Sequence, residues 1–174
     1  MSRAWPVNGI EGNRSLGDAA RRILAVRIAE VYSYRPIIHR PEAIEQTHAL
    51  RISLKRLRYT LELFGSVFGE EGERQTDRVK ALQQTLGDLH DLDVRVHLIH
   101  TERDRLSVGR PKRDHGEPEA IAAGLDRYAE RERTRRGEIH RRFIEQWNEY
   151  QQGGMRRDLV RLSQSSPDGS AIPS

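Results

Sequence analysis

The 174-residue chain contains no cysteine. That absence excludes disulfide staples, thiolate nucleophiles, thiol redox work and cysteine-based zinc or iron–sulfur sites. Apolar residues are lean at 36%, against 32% charged. The balance suits long amphipathic helices with a narrow apolar stripe and disfavours a sheet buried on both faces. No apolar run approaches the roughly 20 residues needed to span a bilayer, and the first residues lack the apolar core of a secretory signal. The expectation is a cytoplasmic protein without a membrane partner. Lysine is also scarce, since 27 of the 30 basic residues are arginine. The formal net charge is only +4, but arginine's planar fork matches phosphate and carboxylate geometry, so the bias hints at oxyanion recognition. An arginine-rich genomic composition would produce the same excess.

The length has room for one domain. Residues 1–14, with Pro6, Gly9 and Gly12, read as a flexible N-terminal tail; residues 15–163 read as the helical domain and residues 164–174 as a flexible C-terminal tail. Ser15 is a candidate N-cap for a first helix over about Leu16 to Tyr34, with Asp18 three positions on. Pro36 and Pro41 bracket a connector, and Pro41 suits the first turn of a second helix of some 25 residues. Leu50, Leu54, Leu57, Leu61, Phe64 and Phe68 fall within a stripe about 80° wide on that helix. A third helix starts near Glu73 or Arg74. It either breaks at Gly87, with His90 or Asp91 capping a fourth helix, or continues unbroken. Residues 107–118 read as an exposed loop, and a long helix follows from Pro118 or Glu119 to about Gln152. The middle of that helix, RYAERERTRRGEIHRR, has almost no apolar anchors, so it lies on the surface or faces charges from neighbouring helices. Gly153 and Gly154 end it before a short segment over Met155–Leu162. The fold class is all-α, an antiparallel bundle of long helices.

Opposite the leucine stripe, His48, Arg51, Lys55, Arg58, Tyr59 and Glu62 share an arc of about 100°. Arg51, Lys55 and Arg58 repeat at a rise of roughly 4.5 to 6 Å, a spacing that a chain of phosphates could meet in series. A solvated face can carry as many cations by chance. No carboxylate lies between Gln46 and Leu61, so these charges lack local acidic partners, and a polyanion or acids from another helix would relieve their repulsion. Glu62 orients Arg58 more plausibly than it acts as a base, and Tyr59 could hydrogen-bond an oxyanion. Asp88, His90, Asp91 and Asp93 form the one cluster that invites an enzyme reading with a divalent metal. The histidines lack a tight metal-ligand spacing, so a structural role for Asp91 as a helix cap is preferred, with no catalytic residues, no metal and no cofactor.

The segment HALRISLKRLRYTLELF, residues 48–64, resembles the H-x-x-R-x-x-x-[KR]-[KR]-x-R-[YA] pattern of the CHAD family, the conserved-histidine α-helical domain. VKALQQTLGDLHDLDV, residues 79–94, is similar to its K-x-L-Q-x-x-L-G-x-x-N-D segment at Lys80, Leu82, Gln83, Leu86, Gly87, His90 and Asp91, with histidine in place of the usual asparagine. The resemblance covers about residues 16–162. It implies a helical bundle whose basic residues line a positively charged cavity, with binding of inorganic polyphosphate and association with polyphosphate granules. By the same resemblance, His48, Arg51, Lys55, Arg56, Arg58 and Lys80 are the phosphate contacts. Tyr59 and Gln83 are secondary contacts, and Glu62 and Asp91 are structural. The family usually carries the motif set twice and this chain carries it once. It therefore reads as one half of a duplicated CHAD domain, completed by a homodimer partner or working as a reduced form. Three alternatives stand beside polyphosphate binding: a general polyanion or nucleic-acid binding module, a metal-dependent polyphosphate phosphohydrolase, and a helical adaptor.

Overall fold

A computed structural model describes residues 3–9, 15–107 and 117–164. Within them the secondary structure is helical throughout, with no strand: α1 (Leu16–Tyr32), a 3-10 turn (Arg35–Ile37), α2 (Ile44–Leu63), α3 (Gly65–Ser107), α4 (Glu117–Gln152) and α5 (Met155–Gln164). The chain folds as two compact units. One comprises residues 1–84 and 144–174, the other residues 85–143.

The first unit is built on α1, which packs against both α2 and α5. Ser15 begins α1 as its N-cap, its Oγ accepting from the Asp18 backbone N–H at 3.1 Å while its hydroxyl donates to the Asp18 carboxylate. Ala20, Leu24, Ile28 and Val31 recur at helical spacing and are buried. Leu50, Leu54, Leu57 and Leu61 of α2 are buried as well, each contributing roughly 2–3 kcal/mol of apolar burial. Helix α2 starts three residues later than Pro41, with Ala43 as N-cap, and stops at Leu63. The chain re-enters helix at Gly65, and α3 is two helical stretches joined across a kink at Gly69, which takes φ 56°, ψ −155°, so the longer stretch begins a few residues before the expected Glu73. That conformation is essentially confined to glycine. Residues 3–9 carry no regular structure, yet they are tied to α1, since Arg22 donates to the Asn8 carbonyl at 3.3 Å and Arg27 to the Trp5 carbonyl at 3.2 Å. The loop expected over 107–118 and the C-terminal tail fall almost wholly outside the described residues.

In the second unit α3 and α4 form an antiparallel pair joined by charge. Asp88 faces Arg142, Asp93 faces Arg136, Arg95 faces Glu132, and Arg103 faces Asp126. As the α3 number rises its partner's number falls almost in step, which is the signature of an antiparallel register. This ladder explains the apolar-poor middle of α4. It also corrects the reading of a break at Gly87, because α3 runs through that residue without interruption. A mid-helix glycine costs about 1 kcal/mol, and burial of Leu82, Leu86 and Leu89 around it outweighs that. Asp91 is therefore not a cap: it lies exposed in mid-helix.

Candidate functional site

The basic row sits on α2 opposite its buried leucines. His48 and Arg51 are partly buried and Lys55 is exposed. Arg51 makes no ion pair among the described residues, and its Nε is shielded from water without an acceptor. A shielded, unmade hydrogen bond costs roughly 1–3 kcal/mol. Lys55 likewise has no carboxylate partner among the described residues. Its Nζ stands 5.6 Å from the Tyr59 ring centroid, and Arg58 Cζ stands 4.9 Å from the same ring. Tyr59 thus sits against both cations, attracting them through its π face. Arg58 lies 3.4 Å from Glu62, although its Nε lacks hydrogen-bond geometry to any acceptor. Glu62 thus stands beside Arg58 at the C-terminal end of the row, as the shared arc predicts.

Arg56 departs from the expectation. Two residues before Arg58, it points off the shared arc and donates through Nη1 to Glu30 of α1. Glu30 is 1% exposed and also accepts from Arg27 at 2.7 Å and from Ser53 Oγ at 3.3 Å. A buried carboxylate must be paired, so Arg56 anchors α2 to α1 and holds the row in place from behind. Sequence reasoning had no signal for this, because Glu30 reads as one more charged residue on α1.

Lys80 and Gln83 lie one turn apart on α3, in the same unit as the row. Lys80 is exposed and has no ion-pair partner among the described residues; the Gln83 Oε1 is shielded without a donor. His90 and Asp91 belong to the second unit. There Asp88 and Asp93 are engaged by arginines of α4, and among the described residues no group of three histidine or carboxylate side chains could hold a metal ion.

The α2 motif and the start of α3 both fall inside a match to the CHAD domain family that spans residues 3–100, more than half of the 174 residues. The chain belongs to the CHAD family. The match begins earlier than the motif resemblance did, taking in the segment that Arg22 and Arg27 tie to α1, and it stops within α3. No curated protein and no solved structure matches the chain. In this CHAD chain the family match covers the whole α2 row, Glu30 and Lys80. It leaves α4, α5 and most of the charged ladder beyond its end. No helix among the described residues is long and apolar enough to cross a membrane.

Proposed function

We propose that this CHAD protein binds inorganic polyphosphate along α2, with Arg51, Lys55 and Arg58 as the main contacts, His48 at the N-terminal end of the row and Lys80 as an additional cation on α3. One observation carries the reading: Arg51 and Lys55, in series on one face of α2, have no carboxylate partner among the described residues, whereas Arg56 beside them is paired with Glu30. Cations in series, with Arg58 alone offset by Glu62, favour a ligand with negative charge at every few ångströms. Glu30 serves this arrangement indirectly, since its pairing with Arg56 fixes the helix that displays the row. The reading assigns recognition and no bond-making step, and it makes localisation to polyphosphate granules a consequence of binding.

Titration of labelled long-chain polyphosphate at several salt concentrations tests it, with an Arg51/Lys55/Arg58 triple-alanine variant of verified fold in parallel. Each phosphate contact releases condensed counterion, so removing three contacts should flatten the log affinity against log salt slope by about 2–3. Binding by the variant with an unchanged slope overturns the assignment of the row. Equal competition by single-stranded DNA at matched phosphate concentration makes the protein a general polyanion binder. Light scattering on the same samples reports whether one copy or two holds each polyphosphate chain.

A further inference from the structure

The first unit contains a cleft of about 1140 Å³ that shares no residue with the α2 row. It forms where the C-terminal end of α1, the 3-10 turn, the C-terminal end of α4 and helix α5 converge, lined among others by Tyr32, Arg35, Ile38, Trp147, Gln151 and Arg156. No carboxylate is among its lining residues. Arg35 and Arg156 make no ion pair among the described residues. Arg156 instead lies over the Tyr32 ring at 5.1 Å, and that ring packs against Trp147 with centroids 5.6 Å apart at 52°.

The polar groups of the cleft are as specific as its charge. Tyr32 donates its hydroxyl to Gln151 Oε1 at 3.0 Å. Burial pushes the Tyr32 phenol up to about 12, against the opposing pull of the Gln151 hydrogen bond and the Arg156 and Arg35 charges. It therefore remains a neutral donor at physiological pH. With its oxygen so engaged, the Gln151 amide leaves Nε2 shielded from water and without an acceptor. It is one of several shielded side-chain atoms without a protein partner, and a turn of the Gln151 side chain, which lines the cleft, brings it to a ligand. Ile38, 3% exposed, backs the cleft, and the partly exposed Val160 and Tyr32 complete its apolar and aromatic wall.

We infer that this cleft binds a nucleoside phosphate, its phosphates on the Arg35 and Arg156 guanidiniums and an acceptor of its base or sugar on Gln151 Nε2. Two unpaired arginine forks match phosphate oxygens. The apolar and aromatic wall with one orienting amide is the usual composition of an organic-ligand pocket, and an inorganic phosphate chain would leave that wall unused. The inference is independent of the polyphosphate reading, because the two sites have no residue in common.

Trp147 supplies a built-in reporter. The chain has two tryptophans, so Trp5→Phe leaves only the one in the cleft. ADP titrated into this variant should give a saturable change in Trp147 emission, confirmed by equilibrium dialysis with labelled ADP, and pyrophosphate should bind at least about tenfold more weakly. Arg35 is exposed, so Arg35→Glu spares the core, and it should lower ADP affinity by at least about tenfold. Gln151→Leu should weaken ADP while leaving pyrophosphate unchanged. The Arg51/Lys55/Arg58 triple-alanine variant should bind ADP as the parent does. Absence of ADP binding, equal affinity for ADP and pyrophosphate, indifference to Arg35→Glu, or loss of ADP binding in the triple variant would each overturn the proposal.

Discussion

Replacing Glu30 offers the sharpest test of how the α2 row is held. Its carboxylate is 1% exposed and meets three donors: Arg27, Arg56 and Ser53. Removing one partner of a buried ion pair costs about 3–5 kcal/mol, because the remaining charge stays desolvated. Here the side chains of Arg27 and Arg56 remain 13% and 24% exposed, so each recovers part of its hydration. The lower end applies, and Glu30→Met should destabilise the protein by about 3 kcal/mol. For a chain of this length that is a fall of about 6–12 °C in Tm. Arg56→Met alone should also destabilise, by leaving Glu30 with Arg27 as its remaining ionic partner. The double variant should be less destabilised than the two single changes added together, by at least about 1 kcal/mol, because one buried pair is then removed as a unit. Urea unfolding followed by circular dichroism measures all four proteins of the cycle. A Glu30→Met protein within about 0.5 kcal/mol of the parent, a value typical of surface substitutions, would refute the claim that this carboxylate clamps α2 to α1.

Two further predictions concern the frame around the sites. Gly69→Ala should cost about 1–3 kcal/mol through backbone torsion alone, since an added Cβ meets nothing within 4 Å; stability unchanged by this substitution would contradict the break in α3. The Tyr32 phenol is raised from 10.0 to about 12 in the folded chain, so its contribution to stability is complete below pH 10 and is lost as pH rises through about 12. The parent should therefore lose stability relative to Tyr32→Phe across that window, and parallel pH dependences of the two proteins would show that the phenol is not held neutral by burial.

The all-helical class was legible because the signals behind it are local. The Ser15 cap, the leucine period of α2 and the Gly153–Gly154 stop act within a few residues of chain, and the structure places α1, α2 and α5 close to where those signals do. The row itself was legible for the same reason, since residues three and four apart share a helix face in any packing. Local signals failed where a long-range interaction outweighed them. Gly87 is a helix breaker by propensity, but buried neighbours and a ladder of arginine–carboxylate pairs to α4 carry the helix through it.

From the sequence alone came the family motif, the helix class and the line of cations on α2. Only the tertiary structure decided which cations remain available to a ligand, because charge pairing is a property of distance across elements and leaves no mark on sequence spacing. It assigned Arg56 to Glu30 of α1 and left Arg51 and Lys55 without a carboxylate partner among the described residues. It also gathered Tyr32, Arg35, Gln151 and Arg156 around one cleft, although more than a hundred residues of chain separate their two halves. Each of those side chains belongs to a different local pattern, and only packing brings them to a common wall.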